Sequence, residues 1–495
     1  MTFPRRVDTL ILGGGTTGCA IAGLLAGRSD ESILVVEAGP DYGPLGDGRW
    51  PEPLRNAAML GTGVNEWGFR AGKLDPATGE ELLFERARVI GGCSSHNGCA
   101  AIWGAREDYD GWAAAGCDGW STTELDPLMR AVDRRLRVQR PALADLTPFQ
   151  AAARDALIAL GIPATDDLND LDEPQGVAPS PVNIDGGVRF NAAFAYLDPV
   201  RHRPNLHVLG DALVDRLVVR AGTVLGAEVL VGGMPVTIEA GRTIVAGGAY
   251  GSPAILERSG IGTPARLVAR GIRPVHALPG VGENLHDHPA MRVLYEGSPA
   301  LVERMRERAA RGFCPEEQII AKVRSPLATE AFDLHVYPVG GPERDGGGGY
   351  FFELPVACMT PRSRGTCHVR SADPAELPAV DTRFLTDPDG HDRAVLEHGL
   401  AFVRELARQE PFASLIGAER WAPTDLARDW VHYYHPVGTC KMGPASDPAA
   451  VVDARGRIHG LEGGYVADCS IMPVVPRANT NVPAVLVGER IACWL

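Results

Sequence analysis

The amino-acid sequence predicts an α/β protein that opens on a β-α-β unit of the Rossmann type, and three observations carry that prediction. The chain has 495 residues, 45% apolar and 22% charged, enough to bury a large core and too long for one ordinary domain. Residues 7–12 are a short run of strand formers, followed by Gly13-x-Gly15-x-x-Gly18, an Ala/Leu-rich helical stretch at 19–28, and a second apolar strand at 33–36 that ends in Glu37. Residues 291–424 alternate strand-like runs (332–337, 350–356) with a helical one (393–409) and read as a separate, substrate-facing layer.

The first turn needs its residue types for a physical reason. Gly13 permits the tight bend, Gly15 lets backbone N–H groups approach a pyrophosphate, and Gly18 lets helix and strand pack closely. The helix N-terminus at Thr16 and Thr17 then offers unpaired donors and positive dipole to phosphates. Glu37, at the end of the second strand, is placed to accept hydrogen bonds from ribose hydroxyls. Residues 213–219 and 225–230 form a small antiparallel pair. Residues 243–253 are a second strand-then-glycine turn, entering a helix at 254–258. That turn lacks the GxGxxG spacing and a following acidic strand end, so it does not predict a second nucleotide site or a nicotinamide enzyme. Gly346 to Gly349 suit a mobile loop.

Composition excludes several classes. With 48 Lys+Arg against 62 Asp+Glu the formal charge is −14, and no basic stretch offers a nucleic-acid surface. No apolar run approaches the ~18 residues that span a bilayer, so no membrane association is expected. The ten cysteines are scattered without a CxxC pair, which indicates neither zinc nor a disulfide framework and fits a cytoplasmic location. An acidic chain repels phosphates globally, so any anionic cofactor must be held by local geometry.

Several segments together resemble the glucose-methanol-choline (GMC) flavoprotein oxidoreductases, and their choline-oxidase-like branch most closely. Beyond the first turn these are residues 88–98, which include Arg88, Gly91, Gly92, Ser95, His96, Asn97 and Gly98; residues 106–109; and the turn at 247–262. They continue with 280–288, 434–443, 465–468 and 479–483, so the resemblance covers nearly the whole chain. It implies a Rossmann-type FAD-binding domain of discontinuous segments (1–160, 200–290, 425–495) plus a substrate domain built on an antiparallel sheet with helices (161–199, 291–424). It further implies FAD as cofactor. Glu37 and Ala38 would meet the adenosine ribose, Val214 the adenine, and the segment from Gly91 to Gly98 the isoalloxazine and pyrophosphate. Asp468, Asn479, Thr480 and Asn481 would close the cofactor site. His96 matches the position that in this branch bonds covalently to the flavin.

The resemblance gives His435 as catalytic base and Asn479 as its hydrogen-bonding partner on the substrate oxygen. A neutral histidine suits proton removal from an alcohol near working pH. His286-Asp287-His288 belongs to a family segment in which no metal is expected, and Pro436 disfavours a helix that would turn His432 and His435 into paired ligands. Three departures bear on substrate and acceptor. Ala290 stands where choline-handling members carry a carboxylate, which disfavours choline. Gly98 replaces a serine, and Tyr433 replaces a small β-branched residue near the oxygen-reactive face. The expected activity is FAD-dependent oxidation of a primary alcohol of a small polar molecule, a sugar or aminoglycoside among them, to the aldehyde or onward to the acid. Oxygen or another acceptor reoxidises the flavin, and the enzyme works as monomer or homodimer. A hydroxynitrile-type lyase on the same fold is the alternative.

Overall fold

Two sheets organise the chain in the computed structural model, which describes residues 3–59, 61–343 and 348–495. The first has seven strands. Its parallel half runs Leu206–Leu209, Ile33–Val36, Arg6–Leu12 and the last residues of Met234–Val245, with Gly464–Val466 paired parallel to that same end. Fully buried Leu10, Ile11, Leu12 and Ile33 to Val36 account for the unbroken apolar runs, since both faces of a parallel sheet are covered. The first residues of Met234–Val245 pair antiparallel with Thr223–Val231, which pairs in turn with Ala212–Arg220. One long strand therefore joins the parallel sheet to a β-meander, and the small antiparallel pair expected at 213–230 is two-thirds of that meander.

Helices Thr16–Arg28 and Asn481–Trp494 pack against each other, although they lie at opposite ends of the chain. The second glycine turn leads into Gly248–Arg258, a helix that starts six residues earlier than the sequence suggested and packs on Ala212–Arg220.

The second sheet has eight strands and is wholly antiparallel. Its order is Ile416–Trp421, Pro289–Gly297, Tyr350–Cys358, Leu334–Val336, Ile319–Val323 and Gly176–Pro179, with two short strands joined at its side. Alternation sorts its faces. Met291, Val293 and Tyr295 pack under helices Pro148–Ala159, Pro299–Ala309 and His391–Leu406, whereas Ala290, Ile320, Ala357 and Tyr337 face the other way, toward Tyr433 and Ala478. Helix His391–Leu406 stops short of the sequence-read end at 409, ahead of Pro411, which biases the residue before it away from helix.

Two elements sit elsewhere than their sequence segment suggests. Helix Pro148–Ala159, inside the 1–160 stretch, buries Phe149, Ala153 and Leu157 against the second sheet. Ala193–Leu197, inside 161–199, packs on helix Thr16–Arg28 of the first. Amphipathic periodicity reveals that a helix buries one face, and it does not say which sheet receives it. The loop expected at Gly346 to Gly349 falls in part outside the described residues. Among the described residues no helix is long and apolar enough to cross a membrane.

Candidate active site

A single cavity of about 920 Å³ runs between the two sheets, near the upper end of the ~300–1,000 Å³ typical of ligand pockets. One end lies where Arg6–Leu12 and Met234–Val245 finish side by side, so that Gly13, Gly15, Thr16 and Gly247 line it. This is the carboxyl edge of a parallel sheet, where ligands of such folds bind. Gly13 has φ +117°, and a Cβ there would fall 2.2 Å from the Ala246 carbonyl oxygen, so no other residue fits the bend. Gly18 does not line the cavity; a Cβ on it would meet the Gly13 carbonyl at 2.0 Å, and it serves helix–strand closeness.

Two helices begin at the cavity, Thr16–Arg28 and Asn481–Trp494, and neither first turn has a side-chain cap. Their free N–H donors suit a pyrophosphate. Asn479 Oδ1 and Asn481 Oδ1 are buried on the wall without a hydrogen-bond partner, and buried polar atoms left so demand a ligand or water. Glu37 is buried, accepting from Gly14 N and Gly39 N at 3.0 Å each. Burial pushes its carboxyl up to about 7 against the pull of those N–H groups. Asp468 accepts from Gly248 N at 2.9 Å and Ser252 Oγ at 2.5 Å, which ties the second glycine turn to the same cavity. Size, uncapped helices and unsatisfied amides fit FAD.

Thr17, Ala38, Gly92, His96, Asn97, Gly98, Val214, Asp468 and Thr480 also line the cavity, as their sequence positions suggested. Gly91, Ser95 and Arg88 do not. Ser95 is fully buried with its hydroxyl on the Ile90 carbonyl, Gly91 supplies the left-handed turn behind the wall, and Arg88 is exposed, donating to the Ala38 carbonyl and lying over Trp67. The neighbouring Ser94 and Cys93 take the lining places.

His435 and Asn479 both reach the far end of the cavity. His435 follows Val431–His432, which pairs with Pro289–Gly297, and it is in no helix. Its Nδ1 lies 3.0 Å from Nδ1 of His288. Asp287 Oδ1 binds the two loops by accepting from His288 N at 2.7 Å and His435 N at 2.9 Å. Burial, with His288 and Arg86 adding to it, holds the His435 imidazolium well below the ordinary histidine range, so the ring is neutral. His288 is likewise pushed down, to about 3, by burial. The donors of Asp287, His288 and His435 lie within 4.8 Å of one another, but the two ring nitrogens meet in a hydrogen bond. His286 points away, to the Asn284 carbonyl and Val475 N, so the sequence pairing of His286 with His288 is not made.

Sequence reasoning missed the partners of His96. Its Nδ1 lies 2.9 Å from Oε1 of Glu66, and Cys93 sits beside the ring. Burial opposes its charge, yet Cys93 and Glu66 outweigh that and raise His96 to about 9. Cys93 answers in the opposite sense: burial raises it, but Arg86 and His96 bring it down to about 6. Nothing in the spacing of Glu66, thirty residues upstream, could announce this contact.

Comparison with known proteins agrees with this geometry. The family model for GMC oxidoreductases matches residues 7–290 in its N-terminal part and 361–488 in its C-terminal part. The chain is 31% identical to choline oxidase of Arthrobacter globiformis over 99% of this chain and 94% of that one. It is 32% identical to 5-(hydroxymethyl)furfural oxidase of Methylovorus sp. (strain MP688) over 98% of each. Among solved structures, pyridoxine 4-oxidase from Mesorbium loti superposes with a TM-score of 0.86 at 27% identity, covering 98% of both chains. With the first glycine turn, the second and the His435 loop all meeting at one cavity, this chain belongs to the GMC oxidoreductase family.

Proposed function

We propose that this protein oxidises a primary alcohol of a small molecule to the aldehyde, with His435 as base and Asn479 as the amide that holds the substrate oxygen. The observation that carries this reading is the neutral His435 ring on the cavity wall, fixed through Nδ1 against His288. When His435 Nδ1–H donates to His288, the lone pair of Nε2 is left for a substrate hydroxyl. Asn479 then steadies the alkoxide that develops as the proton leaves. FAD, when bound, supplies the acceptor for the hydride. Tyr337 and Tyr433 line the cavity beside the second sheet.

We read segments 161–199 and 291–424 as most of the substrate side, with helix Pro148–Ala159 added to it and Ala193–Leu197 taken from it. His96 is further proposed to carry the flavin covalently. Glu66 engages Nδ1, so Nε2 would hold the flavin's 8α carbon, the ring N–H and methyl C–H protons being released and the two electrons passing through the flavin to the terminal acceptor. Relatives named as oxidases support oxygen as the terminal acceptor, and the ten cysteines, all free, support a cytoplasmic location.

Anaerobic mixing with a panel of primary alcohols tests the reading. An oxidation bleaches the oxidised flavin band, while a lyase leaves it unchanged. His435→Ala should slow bleaching by about 10²–10⁴-fold, the usual worth of a general base. A variant that bleaches at the parental rate would remove His435 from the role.

A further inference from the structure

Removal of a proton and a hydride accounts for His435 and Asn479 and leaves several charged side chains of the cavity unused, Glu317 among them. Glu317 lines the cavity just before strand Ile319–Val323, held there by a backbone bridge to Val339. Other acids of the same wall are paired: Asp75 with Arg292, Glu353 with the same arginine at 3.7 Å, and Glu343 with Arg420 at 2.9 Å. Among the described residues the Glu317 carboxylate has neither a hydrogen bond nor an ion pair, and burial alone pushes it up to about 8. Glu317 is part-buried and faces the cavity, and a partly desolvated carboxylate with no donor of its own gains from a proton or a cation.

Its place relative to the base is informative. The Tyr433 ring packs on His435 at 4.4 Å between centroids, and Tyr337 stacks on Tyr433 at 4.3 Å and 12°. The Glu317 charge acts on both phenols and is not among the groups that act most on His435, which sets it nearer the tyrosine pair than the base. The Tyr433 hydroxyl is buried beside the Asn479 side chain. Ala290, packed in the same cluster as the two tyrosines, offers no charge there.

We propose that Glu317 anchors substrates that carry a hydrogen-bond-donating cation, a primary or secondary ammonium or a guanidinium, on the far side of the tyrosine pair from the carbinol. This deepens the alcohol-oxidising reading and rests on it for the position of the carbinol. An N–H donor is required for two reasons. The carboxylate lacks any donor of its own, and the two tyrosines spend a face on each other instead of opening into the cage that a methylated ammonium uses.

The test uses the flavin-loaded enzyme and two near-isosteric alcohols, 4-(aminomethyl)benzyl alcohol and 4-ethylbenzyl alcohol, followed by anaerobic flavin reduction. The amine is expected to have the larger kcat/KM by roughly tenfold or more, and Glu317→Gln should reduce that ratio by at least about tenfold, with Glu317→Asp restoring part of it. Binding of 4-methylbenzylamine, which has no carbinol to oxidise, is read from its perturbation of the flavin spectrum. Its Kd should rise about tenfold in Glu317→Gln, and its N,N,N-trimethyl analogue should bind the parent more weakly. Equal handling of the two alcohols, or a ratio that Glu317→Gln leaves unchanged, overturns the subsite while the oxidation stands. Amine binding that depends on Glu317 with no alcohol bleaching the flavin supports the subsite and overturns the oxidation. Unchanged flavin content and melting temperature show that the variants are folded.

Discussion

At the scale of single residues, the chemistry is set by how burial and neighbours move two histidines in opposite directions. His435 is pushed down because nothing near it offers a compensating negative charge: Asp287 presents its Oδ1 to backbone N–H groups, and burial raises its own carboxyl to about 7. Besides Asp287 and the Tyr433 ring, the groups facing His435 are His288, His335, His432 and Arg86, all neutral or positive. A base whose folded pKa lies well below ~6.5 is lost only when the pH falls beneath that lowered value. His435 should therefore contribute no limb near ~6.5 to the flavin-reduction rate, and a limb near 7 that belongs to Asp287 should vanish in Asp287→Asn; a limb near ~6.5 that survives in Asp287→Asn in a stopped-flow pH series would contradict this. His96 is the opposite case: Glu66 and Cys93 orient the ring and raise it to about 9, so bonding at Nε2 requires the loss of a ring proton first. Acid precipitation of the protein should leave yellow colour on the pellet, His96→Ala should release all of it, and Glu66→Gln should retain an intermediate fraction because Nδ1 loses its carboxylate. Complete release from the parent protein would end the covalent proposal.

At the scale of elements, the terminal helix does most to assemble the site. Asn481–Trp494 buries Val482, Val485, Leu486 and Ile491 and lies on helix Thr16–Arg28, so the residues that begin it are delivered to the cavity from the far end of the chain. The close approach depends on Gly488, where a Cβ would meet Ala20 Cβ at 2.8 Å and the Thr17 carbonyl at 3.1 Å. Gly488→Leu should overpack this seam, destabilise by roughly 1–3 kcal/mol or more, and loosen the flavin, measured as a lower melting temperature and a lower flavin-to-protein ratio. Local elements were legible in the sequence because their signals are local: the strand, glycine turn and helix at 6–28, the strands at 212–231, and helix His391–Leu406 all carry their own periodicity. Sheet membership was less legible. Pro148–Ala159 and Ala193–Leu197 pack on the sheet opposite to the one their segments implied, because only the fold decides which core receives them. The same limit applies to the site. Motif order pointed to His435, Asn479 and His96, whereas Glu66, Asp287 with His288, and Glu317 act through contacts across 30 to 150 residues that no spacing encodes.

For the whole molecule, the question is how a chain with a formal charge of −14 holds an anionic cofactor and what that charge does at the other end of the cavity. At the cofactor end the acidic surface is offset by backbone, with two uncapped helix N-termini and the glycine turns supplying donors that carry no formal charge. At the substrate end no such offset exists. Asp75, Glu80, Glu316, Glu317, Glu353 and Glu376 line the approach against Arg292 and Arg420. A concave wall of one dominant sign concentrates counter-ions and raises their encounter rate, and salt removes the effect once the Debye length, about 10 Å at 0.1 M, becomes short beside the width of the entrance. Raising NaCl from ~10 mM to ~0.3 M should therefore lower kcat/KM for 4-(aminomethyl)benzyl alcohol several-fold and leave 4-ethylbenzyl alcohol nearly unchanged. The salt dependence should persist, reduced, in Glu317→Gln, because steering comes from the whole wall and anchoring from one carboxylate. If the variant loses the salt dependence entirely, Glu317 alone carries both effects; if the parent shows none, the acidic wall does not act on the substrate at all.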